Sequence, residues 1–302
     1  MSDGSRHVLA YGSEATYGSA AASLSAVRHT SCDLRLEKDQ FVSAELNGLR
    51  QVVDVRHGAK RVGGGFGIEL SDNSHDDFLE ALLGGTWSTN VVKCGSTRRS
   101  FTFERQYPDI PAASPGTIFE RYTGCEINSL SLSIRPNAIV TGTFGVVGQT
   151  MATATAALDA SLTAAATGAV FDAMTGTITE GGAAIATITA LDLNITNNLV
   201  PRYVVGTGTT IRPAIGNIDI TGRVTAHFED HTLLAKWVAE TNSEIVVTLS
   251  DGTNTIQFDI PRINYTTGVN PTTDSGPIIQ TFDFTAMYNV ADTSALVVTR
   301  SA

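Results

Sequence analysis

Charge is scarce in this chain, and positive charge is the scarcest. Of its 302 residues 17% are charged, and 20 Lys and Arg stand against 30 Asp and Glu, a formal charge of −10. Soluble domains ordinarily carry about a quarter of their residues charged, so part of this surface is expected to be covered by partners. A nucleic-acid binder shows a basic footprint, and the chain as a whole has none. An acidic protein can still serve a polyanion by not holding it. A wall along which DNA slides should be neutral or negative, because each Lys or Arg contact would retard the movement.

Cysteine is nearly absent. Cys32, Cys94 and Cys125 share no C-x-x-C spacing, and their odd number argues against a disulfide framework. Buried, reduced thiols made in a cytoplasm are expected. The opening Met1–His7 has no apolar signal core, so no secretory signal is expected. No apolar run reaches the roughly 18 residues of a membrane-spanning helix. The formal glycosylation sequons at Asn194 and Asn264 are then chance Asn/Thr in strands.

Patterns of chemistry are missing too. There is no G-x-S-x-G, and Gly63–Gly67 and Gly206–Gly208 lack the Lys-Ser/Thr or the helix of a phosphate loop. His227 and His231 have the spacing of a helical zinc pair, but a strand and an acidic turn separate them. Glu69, Asp72, Asp76 and Asp77 crowd together without the EF-hand pattern, and helix capping accounts for them. Asp219, Glu229 and Asp230 have the same explanation. No catalytic residue, no cofactor site and no metal site is expected, and the chain is read as a non-enzyme. Aromatics make up 7%, and Trp87 and Trp237 fall at or beside predicted helices, which disfavours an exposed carbohydrate platform.

What the chain has is alternation. Ser129–Ile134, Ile139–Phe144, Glu244–Leu249, Thr255–Ile260 and Ile279–Phe284 each put Ile, Val, Leu or Phe on one side and Thr, Ser or Asn on the other. That pattern predicts antiparallel sheets packed on one face, with a hairpin turn at Ser250–Gly252. Two helices are predicted. The first spans about His75 to Leu83, capped by Ser74 or Asp72 and stopped by Gly84–Gly85. The second spans about His231 to Glu240, with Leu233, Leu234, Trp237 and Val238 on one face.

Each helix follows a Gly-containing strand and an acidic turn, Val62–Asp72 and then Ile220–Asp230. Each precedes a strand ending near a proline, Phe101–Pro108 and then Thr255–Pro261, and a long closing strand, Ala138–Val147 and then Ile278–Met287. Such a recurrence at half the chain length predicts a duplicated domain rather than a solenoid. The fold class is mainly β, with two tandem β-sandwich or barrel domains, residues 1–150 and 151–302, each flanked by one helix. The Ala/Thr-rich residues 150–167 read as a linker with few anchors, and Ala169–Asp172 as the start of order in the second half.

Two stretches sit badly inside a compact sandwich: an N-terminal arm, 1–28, and the segment Phe41–Gly65. The latter alternates charges with aliphatics. It predicts a long hairpin arm that finds its apolar partner on another subunit through Phe41, Glu45, Leu46, Leu49, Arg50, Val53, Arg56 and Arg61. A shorter counterpart is conceivable at Leu199–Asn217.

These stretches carry a resemblance. Tyr11–Gly18, Ser43–Gly58, Arg121–Ile134 and Asp274–Phe284, in this order, resemble the tail tube proteins of long-tailed, siphovirus-type bacteriophages. The resemblance implies a self-assembling virion protein made in the host bacterial cytoplasm. Its units would form six-fold rings whose inner sheets merge, with a hairpin arm reaching between rings and the rings stacked into a conduit for DNA ejection. With two units per chain it implies a homotrimeric ring of pseudo-six-fold symmetry, a hexameric ring being the alternative. It also implies a tape-measure protein and transiently phage DNA in the lumen, tail terminator and baseplate proteins at the ends, and no membrane. A baseplate or terminator ring, or an adhesin-like β-sandwich, are the competing functions.

Overall fold

The computed structural model describes residues 3–46, 48, 50–110, 119–184, 187–269 and 276–301. After a 3-10 turn at Gly4–Arg6 come strands β1 (Val8–Ser13), β2 (Ser25–Ala26), β3 (Ser31–Cys32), β4 (Arg35–Val42), β5 (Val55–Gly63) and β6 (Gly65–Glu69). Helix α1 (Asp76–Leu83) leads to β7 (Val91–Lys93), β8 (Phe101–Gln106), β9 (Phe119–Ile134), β10 (Thr141–Val147) and β11 (Thr150–Ala154). The later residues form β12 (Asp172–Glu180), β13 (Ala183–Ala184), β14 (Ile188–Thr196), β15 (Val200–Arg202), β16 (Ile211–Ala214) and β17 (Asp219–His227). Helix α2 (Thr232–Val238), β18 (Ser243–Ser250), β19 (Thr255–Val269), β20 (Ile279–Ala286) and β21 (Val297–Arg300) complete the order. The fold is mainly β, and its sheets do not close into a barrel.

The pairing order is the same on both sides of residue 150. First β6 pairs β10, β10 pairs β9, β9 pairs β8, and β8 pairs β1. Later β17 pairs β20, β20 pairs β19, β19 pairs β18, and β18 pairs β12. Even an irregularity recurs. Asn128 is skipped between the pairs Gly145↔Ser129 and Val146↔Ile127, and Thr266 between Asp283↔Thr267 and Phe284↔Tyr265. Two ladders tie these units together, β9 to β14 and β7 to β21. One continuous core results, in which Phe66, Phe144, Leu193, Phe258 and Phe284 all belong. Burial of each strand's apolar face drives this packing.

Several sequence expectations are corrected. The N-terminal segment is no free arm: β1 pairs β8 from Val8↔Gln106 to Ser13↔Phe101, and Leu9 and Ala10 are fully buried. The run 150–167 is well anchored. Thr150–Ala154 pairs Thr123–Phe119, the Leu158 amide donates to Glu104, the Leu24 amide donates to Asp159, and Thr163 exchanges backbone hydrogen bonds with Leu24 and Ala26. Small side chains left the backbone free to pair, which composition alone reads as a loose linker. Phe171 is buried, its amide donating to Leu70 and its carbonyl accepting from Val140, so Ala169–Asp172 is ordered within the first unit. The strand predicted to end near Pro261 runs through it to Val269, because the register slips between Ser243↔Ile263 and Ile245↔Ile260, a bulge where the missing N–H costs nothing.

The helices differ from expectation at their caps. His75 occupies the N-cap of α1 without a side-chain cap, while the Ser74 hydroxyl donates to the Asp72 carbonyl. Gly84 ends α1 left-handed, at φ 63°, as its sequence predicts. His231 is the N-cap of α2, also without a side-chain cap, and Asp230 just before it accepts from the Thr232 amide at 2.8 Å. Val238, expected on the buried face of α2, is 71% exposed, because the helix stops at that residue.

Two histidines, His7 and His75, make the first unit acid-sensitive. Arg105 Nε–H donates to His7 Nε2, which sets His7 Nδ1 as donor to His29 Nε2 at 2.9 Å, and His29 Nδ1 as donor to the Val27 carbonyl. Burial, then the Arg105 charge, pushes His7 down to about 4. Burial does the same to His75, also to about 4. Both folded values lie below the unfolded value near 6.5, so the stability they contribute is present above that pH and is lost as pH falls toward 4. Moving from pH 7 to 5 is expected to cost about 2 kcal/mol through His75 alone, and less through the more solvent-screened His7. Thermal melts at the two pH values check this, and His75→Asn should flatten the difference.

Candidate functional site

The alternation of the central ladders gathers hydroxyls on one concave face. The sheet there runs β3, β6, β10, β9, β14, β17, β20, β19. Its apolar side carries Phe66, Phe144, Leu130, Leu193, Val224 and Phe282, all buried. Its other side lines a broad groove with Ser31, Ser131, Ser133, Thr141, Thr143, Asn194, Thr221 and Thr285.

The charges on this face are tied together. Arg223 donates through Nε to Asp283 Oδ1 at 2.6 Å, and Thr267 Oγ1 donates to Asp283 Oδ2 at 2.9 Å. The Arg223 hydrogen bond holds the Asp283 carboxyl below the usual carboxylate range. At the rim, Arg135 Nη2 reaches both oxygens of Asp192 at 2.8 Å. With these arginines paired, the described lining residues present hydroxyls and neutralised ion pairs, and no free cation is among them.

The edges of this sheet are the second feature. Inside the chain, Leu191–Thr196 of β14 pairs Ile134–Ser129 of β9. Stepping along the ladders in register, Cys32–Glu37 opposite Phe66–Arg61 matches Leu191–Thr196 opposite Val224–Asp219. Likewise Ser129 and Leu130 match Thr267 and Gly268 through their partners Gly145, Phe144, Asp283 and Phe282. Yet among the described residues neither the outer edge of Arg35–Glu37 nor that of Thr267–Val269 is paired. Unpaired edges of this kind are sites for a further strand.

Two hairpins rise from the sheet. The first, β4–β5, begins at Arg35 rather than Phe41 and forms a sheet of its own, while Gly65 lies in the core sheet. Phe41 is 63% exposed and lies across Gly58, where a Cβ would meet the ring at 2.4 Å. Glu45 and Arg50 are exposed, and Leu46 is 100% exposed. Val53 is half-exposed, and Arg56 pairs with Asp54 at 3.1 Å. Leu49 lies outside the described residues. Arg61 sits at the base, bonded to Glu37 at 2.9 Å and to the Tyr203 hydroxyl at 3.2 Å.

The second hairpin, β15–β16, falls in the Leu199–Asn217 segment and is fastened to the first unit. The Lys60 amide donates to the Gly208 carbonyl at 3.0 Å, and the Thr210 amide donates back to Lys60 at 3.1 Å. Arg212 Nε reaches Glu126 at 2.7 Å, and Arg98 bonds both Glu126 and the Pro213 carbonyl. The Arg212 guanidinium also stands 5.4 Å from the Tyr17 ring centre. Sequence reasoning missed this clamp; its one signal was an acid, Glu126, between the apolar Cys125 and Ile127.

Among the described residues no three His, Cys, Asp or Glu side chains are placed to hold a metal ion. His227 ends β17 and His231 packs on Phe228 at 5.2 Å. Against known proteins, a family model described as phage tail tube protein matches residues 4–286. A search of the curated proteins finds no match.

Proposed function

This chain belongs to the phage tail tube protein family, a structural component of the virion tail, and from that premise we propose that three copies close into a ring whose stacking builds the tube. We read residues 1–150 and 151–302 as two tandem tube domains, with the stretch 151–171 packed back on the first, a reading supported by the repeated pairing order and the repeated skipped residue. One observation carries the ring: the β9–β14 ladder joins the two units, and the matching edges, Arg35–Glu37 and Thr267–Val269, are left open at opposite ends of the sheet. Repeating that ladder between chains leaves neither of these two edges exposed, which removes the aggregation hazard they present. Six units around the ring need three chains.

The concave, hydroxyl-lined face then becomes the channel wall, and the pairing of Arg223 and Arg135 with carboxylates leaves it without free cations to retard DNA. Stacked rings form a heterologous, non-closing interface, which makes a filament. The outgoing side and tip of the first hairpin, with Phe41, Glu45 and Leu46, reach the next ring. Tape-measure protein and then DNA occupy the lumen, terminator and baseplate proteins cap the ends, and synthesis takes place in the host cytoplasm. Averaged cryo-electron microscopy of assembled tubes tests the ring. Three chains per ring with six similar lobes are expected, and six chains per ring would overturn the trimer.

A further inference from the structure

The returning strand of the first hairpin is bare where its counterpart is covered. Stepping back from Arg61 and its match Asp219, Lys60 corresponds to Ile218 and Arg56 to Ala214; there the β15–β16 register slips by one residue, so Val55 falls at Arg212–Pro213, Val53 at Thr210 and Val52 at Thr209. Thr210 is 0% exposed and Pro213 is buried, sealed against the first unit. Val52, Val53 and Val55 are 63%, 48% and 43% exposed. The receiving position differs in the same way. Lys60 exchanges two backbone hydrogen bonds with Gly208 and Thr210, forming a parallel bridge to Thr209, whereas the backbone of Ile218 makes no such pair among the described residues.

We propose that the returning strand of the first hairpin, around Arg50–Val55, docks on the second unit of the adjacent chain in the same ring, forming a parallel bridge from Val52 to Ile218 of that second copy. The inference rests on the ring reading above. The second hairpin grows from the end of β14, whose edge pairs β9, and it lies over the unit that owns β9. The first hairpin grows from the end of the Cys32–Glu37 segment, whose edge is open, so the surface matching its counterpart's seat belongs to the chain that fills that edge. Burying the valines there removes apolar surface from water, and the bridge satisfies the Ile218 amide and carbonyl. The strand is thus a clasp within the ring, and only the outgoing side and tip remain for contact between rings.

Val52→Cys and Ile218→Cys in one full-length chain test the inference. Assembled protein is treated with a short bis-maleimide and run under denaturing conditions, beside each single variant and the unmodified chain. Dimers and trimers with no longer species are expected, in the double variant alone, because the links close on themselves after three chains. A ladder running past the trimer would place the contact between rings and overturn the clasp. Rings visible by negative stain without any double-variant link would also overturn it while leaving the ring intact. Absence of rings from the unmodified chain would overturn the ring reading, and the clasp with it.

Discussion

Phe78→Ala is expected to cost about 3–5 kcal/mol of folding stability, measured by urea unfolding of the unassembled chain. Phe78 is fully buried in α1. Its ring centre lies 4.6 Å from Tyr11, 5.2 Å from Phe66, 5.5 Å from Phe144, 5.6 Å from Phe101 and 5.9 Å from Phe103. One side chain therefore joins β1, β6, β8 and β10 to the helix. Removing it opens a cavity among rings whose backbones are fixed by ladders on either side, so the site has little room to collapse. The corresponding change in α2, Leu233→Ala, is expected to cost less, about 2 kcal/mol, the low end for such a truncation. Leu233 is the buried residue of that helix, whereas α1 buries Phe78, Leu79, Ala81, Leu82 and Leu83. Equal losses from the two substitutions would refute this inequality of the helices.

Glu126→Ala is expected to cost a similar amount, about 3–5 kcal/mol, because it leaves two partly buried guanidiniums without their counter-charge. Glu126 is 3% exposed and is held by Arg98 from one side and Arg212 from the other. The loss should be local in its consequences. The second hairpin depends on this carboxylate for its charged anchor, and beyond it keeps the Lys60 bridge and the Arg98 contact with Pro213. Faster cleavage by a protease within 203–208, at a denaturant concentration where the core remains folded, is the expected signature. Glu126→Gln keeps an acceptor and loses the charge, and should fall between the parent and the alanine variant. An unchanged cleavage rate in Glu126→Ala would show that the backbone bridge alone fastens the hairpin.

The fold was legible in the sequence wherever the signal is local. Alternation located Ser129–Ile134, Glu244–Leu249 and Ile279–Phe284 within strands, because a side chain's face in a strand follows from parity alone. Gly84 announced the end of α1, and Ser250–Thr255 turned as the Asp-Gly pair required, with Asp251 Oδ1 accepting from Thr253 and Asn254. The first hairpin was legible from its aliphatics, but its base was placed six residues late. Arg35–Gln40 is too charged to read as strand, and its pairing with Val55–Gly63 supplies the missing order.

What could not be read locally concerns partners. Tyr11–Gly18 and the Ala/Thr-rich run after residue 150 looked loose because few of their side chains are apolar. Their order comes from backbone groups and from single carboxylates such as Glu14, which accepts from Gly18, Gly124, Ser100 and Thr102. The candidate site divided in the same way. Its hydroxyls were visible as the polar half of each alternation, but that they face one groove, and that Arg223 and Arg135 are neutralised there, depends on neighbours far along the chain.

By itself the sequence determined that this protein is β-rich and sparsely charged, and that a long aliphatic hairpin leaves its body, since these are properties of composition and short periodicity. Only the tertiary structure decided which edges are paired and which stay open, that the second hairpin is clasped while the first is bare, and that the segment after residue 150 is anchored. Register and edge pairing join residues tens to hundreds of positions apart, and no local pattern encodes which strand will lie beside another.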